Sequence, residues 1–153
     1  MKKNSISVWL KDENNRVILQ KRSDKNKSFQ DICQATWSGK VEAEEDILAA
    51  VKRECKEELG EKLFNNFDFS KLELISEDNF KIKDQNWICY NYFGETSERA
   101  LEQVKLHEKA CPEFIFVDKS TEIFSIESGK NPKDNIVLFD DQYKVLKQIL
   151  NGY

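Results

Sequence analysis

The feature that most constrains this chain is a spaced set of glycines and charged residues in the stretch GKVEAEEDILAAVKRECKEELG, residues 39–60. The pattern is a glycine, five residues, a glutamate, seven residues, and then Arg-Glu-x-x-Glu-Glu-x-Gly. A register of this length is far more specific than a lone glycine-rich motif. Its members are Gly39, Glu45, Arg53, Glu54, Glu57, Glu58 and Gly60.

The residues between the two glycines predict a helix. Residues 46–59 are rich in Ala, Leu, Glu and Lys, which are good helix formers. Gly60 stands where a helix would end with a residue in the left-handed conformation. Glu54, Glu57 and Glu58 are spaced i, i+3 and i+4, so they should line one edge of the apolar stripe. That stripe, at helical spacing, consists of Ile47, Leu48, Val51, Cys55 and Leu59.

Three carboxylates at this spacing repel one another, so some positive charge must offset them. A solvated acidic helix face is the ordinary interpretation of a glutamate-rich helix, with water and neighbouring lysines sufficing. Here Arg53, Glu45 and the two glycines also fall in register, and this favours a metal site. Clustered carboxylates are hard oxygen ligands, which suit Mg²⁺ or Mn²⁺.

The stretch resembles the signature of the Nudix hydrolases. Two positions depart from the family pattern: Glu61 stands where a bulky aliphatic residue is usual, and Cys55 occupies an aliphatic position. The resemblance implies an α/β fold, a Nudix-type α/β/α sandwich with a mixed sheet, a glutamate-bearing central helix and a C-terminal helix. The length of 153 residues predicts that residues 1–153 form a single domain.

The resemblance also implies roles for the motif residues. Glu54, Glu57 and Glu58 would hold Mg²⁺ or Mn²⁺, and Glu57 or Glu54 would be the general base, with Glu57 preferred. Gly39 would let the backbone approach the metal, and its carbonyl is a candidate ligand.

The other motif residues would support this centre. Arg53 would orient the glutamates by ion pairing with Glu45, at the junction of loop and helix, or with a neighbour on the helix. Gly60 would end the helix.

Further site residues are less constrained. Lys21 and Arg22 end a predicted strand near where the family places substrate phosphates, although they could equally be ordinary surface charges. Trp37 could stack on a base, but packing in the core is the preferred interpretation. The family often supplies an extra metal ligand or base before a late strand, and three residues are candidates without a choice among them: Glu98, Glu102 and Glu108.

The reaction implied is metal-dependent water attack on the diphosphate linkage of a nucleoside diphosphate joined to another moiety. Nucleoside triphosphates, oxidised nucleotides, nucleotide sugars and dinucleotides all fit this description. One alternative is an enzyme like isopentenyl diphosphate isomerase, because residues 21–39 are similar to that Nudix subgroup. The isomerase needs a cysteine where this chain has Ser38, and it usually lacks part of the Arg-Glu-x-x-Glu-Glu set. The other alternative, a non-catalytic nucleotide-binding module, is disfavoured by the intact carboxylates.

Charge and cysteine content bound the partners. A net charge of −4 argues against duplex nucleic acid and anionic membranes, and MKKNSISVWL is neither a secretory signal nor a membrane span. We expect a small nucleotide-type diphosphate as partner, and a monomer or homodimer. The cysteines form no CxxC pair, which predicts reduced, non-catalytic thiols in a cytoplasmic protein. They are Cys33, Cys55, Cys89 and Cys111.

Apolar periodicity predicts the remaining elements. Residues 5–22 should form a hairpin whose first strand is half-buried, with Ile6, Val8 and Leu10 facing inward and Ser5, Ser7 and Trp9 facing outward. Strands are predicted at 72–82, 87–93 and 114–117, a short helix at 119–127, and an amphipathic helix at 135–150.

Overall fold

A mixed β-sheet organises the fold in a computed structural model of the chain, which describes residues 3–22, 29–107 and 113–152. The strands are β1 Lys3–Lys11, β2 Val17–Lys21, β3 Cys33–Gln34, β4 Trp37–Lys40, β5 Glu73–Ile82, β6 Gln85–Glu95, β7 Glu113–Val117, β8 Phe124–Ser125 and β9 Val137–Leu138. The helices are α1 Ile47–Leu59, α2 Glu61–Asn66, α3 Glu98–His107 and α4 Asp140–Gly152.

Strand β1 is the centre of the sheet. On one side it pairs in parallel with β6 along its whole length. On the other side it pairs antiparallel with β4 over Ser5–Val8, and then with β2 at Leu10 and Lys11. β2 continues to β7 and β3, both antiparallel. The sheet therefore divides into two branches beside β1, one ending in β4 and one led by β2.

Thr36 closes the point where the two branches separate. Its hydroxyl accepts a hydrogen bond from the Leu10 amide at 2.9 Å and donates to the Ile18 carbonyl at 2.6 Å. It thus satisfies ladder groups where β1 leaves β4 and joins β2.

Each face of the sheet has its own apolar core. Alternate residues of a strand point to opposite faces, so Ile6 and Val8 pack with α1, α2 and α3, whereas Trp9 packs with α4. Helices therefore cover both faces, and the α/β layering that we expected is confirmed.

Strand β1 is buried on both faces, so the prediction of a half-buried strand was wrong. Ser7 and Trp9 are 3% and 0% exposed. Helix α4 covers their face of the sheet, and the Trp9 indole donates to the Asn91 side chain at 3.0 Å. The prediction placed Ser7 and Trp9 outside because they alternate with apolar residues. Both are buried because their polar atoms make hydrogen bonds inside the protein.

The prediction of a helix over 119–127 was also wrong. Phe124–Ser125 form β8, which pairs in parallel with β9, and a 3₁₀ turn follows at Ile126–Ser128. Because Val137–Leu138 are held in that pairing, the last helix begins at Asp140 and not near residue 135. Helices α2 and α3 were not predicted. The strands predicted at 72–82, 87–93 and 114–117 are confirmed as β5, β6 and β7, and the 5–22 hairpin as β1 and β2.

Candidate functional site

Helix α1 turns two of its glutamates toward the sheet. Its buried residues are Ala50, Val51, Cys55 and Leu59. At 3.6 residues per turn, Glu54 and Glu58 lie angularly between Ala50 and Val51, within the inward face and not along its edge as predicted. The predicted stripe was wrong for Leu48, which is 45% exposed, because the buried positions belong to the later turns.

Glu54 and Glu58 form a mostly buried pair of carboxylates. The Glu54 side chain is 14% exposed. Glu58 shares a hydrogen bond with Glu54, and burial together with this neighbour raises the pKa of Glu58 to about 8. Donated hydrogen bonds from the Gln20 side chain, at 3.2 Å, and from the Ser38 amide act in the opposite direction. Two buried carboxyl groups this close favour either a shared proton or a cation between them.

Arg53 ties the loop before the helix to its glutamates. Its guanidinium donates to Glu45 at 2.8 and 3.0 Å, so the predicted ion pair is present. It also donates to Glu54 at 2.8 Å, to Glu57 at 3.3 Å and to the Lys40 carbonyl at 2.8 Å. One planar group with five donors can make all these contacts, which a lysine could not.

The Arg53–Glu45 pair should give the protein a distinct acid sensitivity. Hydrogen bonds from Arg53 and from the Glu42 amide lower the pKa of Glu45 from 4.5 to about 2. A depressed carboxyl pKa stabilises the fold above the unfolded-state pKa, and this stabilisation is lost as the pH falls from about 4.5 through about 2. We expect Glu45→Gln to lower stability at neutral pH and to flatten the decline in this window. Denaturant unfolding at a series of pH values measures both; an unaltered profile would contradict the assignment.

The two glycines of the motif are each required for a different structural reason. A Cβ at Gly39 would overlap the end of the Glu54 side chain. Gly60 has φ 92° and ψ 165°, so the predicted left-handed conformation was wrong in ψ. This backbone region is still essentially restricted to glycine, and it lets α2 start directly after α1.

Lys21 and Arg22 lie at the end of β2, directly after Gln20 in the sequence. Gln20 contacts Glu58, and strand alternation places Arg22 on the same face, since its amide continues the pairing with the Ile32 carbonyl at 3.0 Å. Lys21 points to the opposite face. Of the two, Arg22 is therefore the better placed to meet a substrate phosphate.

Trp37 belongs to the core. It is 0% exposed, its indole donates to the Val51 carbonyl at 3.0 Å, and its ring packs against those of Phe67 and Phe69. The preferred packing interpretation is confirmed, and stacking of Trp37 on a bound base was wrong.

Of the three later glutamates, the two that the structure describes do not converge on this site. Glu98 pairs with Arg16 at 3.4 Å, next to the start of β2. Glu58 contacts Gln20 near the other end of that strand, roughly 13 Å away at about 3.3 Å per residue. Glu102 is exposed on α3. Glu108 lies outside the described residues.

Sequence reasoning missed Gln20, whose side-chain amide contacts the carboxylate of Glu58. Gln20 is 7% exposed within the strand VILQK, and it contacts Glu58, the Thr36 carbonyl and Gln34. A polar residue at an inward position of an apolar strand is the signal that would have identified it.

A second buried polar group lies under α4 and was also missed. Asn91 accepts from Trp9 and donates to Asp78 at 3.0 Å, while Gln142 of α4 donates to Ser7 at 3.0 Å. In the part of the chain that is described, every buried side-chain nitrogen and oxygen has a partner. This layer is therefore a satisfied network within the core.

The described cysteines are unpaired thiols. Cys33, Cys55 and Cys89 are buried and free. Burial raises the pKa of Cys33 to about 11 and that of Cys55 to about 12, so both resist ionisation. Cys111 lies outside the described residues.

The glutamates of α1 are suitable ligands for a divalent cation, although the three side chains do not converge on one point. Within residues 3–22, 29–107 and 113–152, no three carboxylate, thiol or imidazole groups converge to hold a metal. Glu54 and Glu58 meet, whereas Glu57 is 59% exposed and turned to Arg53. Carboxylate oxygens with the nearby Gly39 backbone are ligands that Mg²⁺ and Mn²⁺ accept.

Comparisons with known proteins relate this fold to one family. A family model described as NUDIX domain matches residues 1–137. The crystal structure of a MutT NUDIX hydrolase from Burkholderia pseudomallei is similar, with a TM-score of 0.63 and 16% identity over 97% of this chain and 98% of that chain. A MutT protein from Methanosarcina mazei Go1 has a TM-score of 0.60 and 15% identity, over 98% and 93%. At these identities the structures show likeness of fold alone. No functionally curated protein matches the chain.

No helix within the described ranges is long and apolar enough to cross a bilayer.

Proposed function

The chain belongs to the Nudix family, and from this premise we propose that it hydrolyses the diphosphate linkage of a nucleoside diphosphate joined to another moiety, using Mg²⁺ or Mn²⁺. The observation that carries the proposal is the mostly buried pair Glu54 and Glu58, whose carboxyl groups share a hydrogen bond beside Gly39. Nucleoside triphosphates, oxidised nucleotides, nucleotide sugars and dinucleotides are the substrate classes.

Three carboxylates would hold the metal, with the carbonyl of Gly39 as a further ligand. Glu54 and Glu58 already contact each other, and Glu57 directly precedes Glu58 on the same helix. The bound ion would neutralise charge on phosphoryl oxygens and make its bound water more acidic. Arg53 would keep Glu54 and Glu57 oriented through its contacts at 2.8 and 3.3 Å. Arg22, on the same sheet face as Gln20, would attract a substrate phosphate.

Glu57 is our choice for the general base. Its carboxylate is 59% exposed and can accept a proton from an attacking water. Glu54 is the alternative, but its side chain is only 14% exposed and its carboxylate shares a hydrogen bond with Glu58. Glu57 would take a proton from the water as the water oxygen bonds to one phosphorus. The bond from that phosphorus to the bridging oxygen would break, and the other phosphoryl group would leave with the bridging oxygen.

The two alternatives have less support. An isomerase of the related subgroup needs a cysteine where this chain has Ser38. The described thiols are buried with raised pKa values, which disfavours a reactive cysteine at the site. A non-catalytic nucleotide binder would not require Arg53 and three glutamates in register.

The proposal extends to the location and the binding partners of the protein. Free buried thiols support a cytoplasmic location. We propose a small nucleotide-type substrate and no duplex nucleic acid or membrane partner.

Metal removal tests the proposal directly. Purified protein would be incubated with a panel of nucleotide diphosphate derivatives and Mg²⁺ or Mn²⁺, and products would be resolved by chromatography. We expect hydrolysis of at least one compound, its loss on addition of EDTA and its recovery with excess Mg²⁺. Turnover that persists in EDTA would contradict the metal mechanism. Isomerisation of isopentenyl diphosphate without phosphate release would support the isomerase alternative.

A further inference from the structure

We infer that Gln20 is a positioning residue that aims the Glu58 carboxylate at the metal. The inference rests on the proposed function, because it assigns Gln20 a role toward the ion that function requires. The motif of residues 39–60 does not include Gln20, and its contact with Glu58 comes from the tertiary structure.

The Gln20 amide is fixed in one orientation. Its nitrogen donates both protons, one to the Thr36 carbonyl at 2.8 Å and one to Glu58 Oε1 at 3.2 Å. Its oxygen accepts from Gln34 Nε2 at 3.3 Å. A flipped amide would place its oxygen against two acceptors and its nitrogen against a donor. The side chain is 7% exposed, so water offers little substitute.

Glu58 receives one hydrogen bond from each branch of the sheet. Gln20 donates from the β2 branch, and the Ser38 amide donates from β4. A carboxylate has about four lone-pair positions, so these two donors and Glu54 leave room for a cation. Partners that orient a ligand in this way commonly determine metal affinity.

A purely structural role would give a different result. Methionine has nearly the length of glutamine and would fill the same space in the apolar strand. It would leave Glu58 without its strand donor while keeping the core packed. Stability of the metal-free protein can therefore be separated from metal affinity.

The test is Mn²⁺ binding by wild type and Gln20→Met, without substrate, followed by electron paramagnetic resonance of the free ion. We expect the substitution to weaken Mn²⁺ binding by about tenfold or more. Gln34→Met is the matched control, since it removes the neighbouring amide but keeps the bond between Gln20 and Glu58. Its affinity should stay near that of wild type. In a Glu58→Gln background, Gln20→Met should have no further effect.

The outcomes separate the two claims. If the wild type binds no Mn²⁺, the proposed metal-dependent function fails. If the wild type binds Mn²⁺ and folded Gln20→Met binds it equally well, the inference about Gln20 alone is overturned. Should Gln20→Met not fold, the side-chain amide resonances of wild-type Gln20 can be followed during Mg²⁺ titration. We expect them to shift more than those of Gln34, and an unmoved Gln20 amide would overturn the inference.

Discussion

Replacing Glu57 with glutamine should lower the rate of hydrolysis by about a hundredfold or more, because general base catalysis typically contributes 10²–10⁴. The fold should be retained, since the side chain is 59% exposed and its contact is a 3.3 Å hydrogen bond with Arg53. Steady-state kinetics with saturating Mg²⁺ measures the rate, and thermal unfolding checks the fold. Glu61→Gln, at an exposed position just after the same helix, is the control and should remain near wild type.

A parallel Glu54→Gln variant decides between the two candidate bases. A near-normal rate in Glu57→Gln with a large loss in Glu54→Gln would move the role to Glu54. Near-normal rates in both variants would show that the active site lies elsewhere. Calorimetric titration with Mg²⁺ would show how much of any loss comes from weaker metal binding and how much from slower chemistry.

Gly39→Ala should lower the rate about a hundredfold while costing only about 1 kcal/mol of stability. The added methyl group would overlap the end of the Glu54 side chain, which must move aside. Pushing a side chain about 30° off its rotamer costs about 1 kcal/mol, whereas a catalytic group displaced by about 1 Å can lose about 10² in rate. The substitution thus tests whether the placement of Glu54 matters apart from its charge.

Denaturant unfolding and steady-state kinetics on the same preparation would measure both effects. Gly152→Ala is the matched control, because a Cβ there has nothing within 4 Å. A Gly39→Ala enzyme with wild-type turnover would contradict the proposed placement of Glu54. A Gly39→Ala protein that unfolds would instead show that the methyl group displaces backbone as well as the glutamate.

The local properties of the glutamate helix could be predicted because they depend on neighbouring residues. Residues 46–59 were predicted helical, and α1 spans Ile47–Leu59. The ion pair of Arg53 with Glu45 was one of the two pairings that the resemblance implied for Arg53, the other being with a neighbour on the helix. Helix propensity and i, i+4 spacing act within a few residues, so a sequence reports them directly.

The inward tilt of Glu54 and Glu58 could not be predicted from the same spacing. Their positions on the helix are known from the sequence, but the rotation of the helix against the sheet is not. Burial of Ala50 and Val51 on either side brings the two carboxylates inward, and Glu57 stays outside. Similarly, Trp9 and Ser7 read as outward residues until α4 covers their face.

The sequence by itself determined the helix and its carboxylate register, because these follow from spacing and residue type. The class of chemistry was implied only by the resemblance to the Nudix hydrolases. Only the tertiary structure decided which glutamates meet, that Trp37 packs in the core, and that Glu98 lies at the far end of β2. It also brought Gln20 to Glu58, although 38 residues separate them in the chain. Such contacts depend on how distant strands pair, and strand pairing is set by the burial of the whole sheet and not by any local pattern.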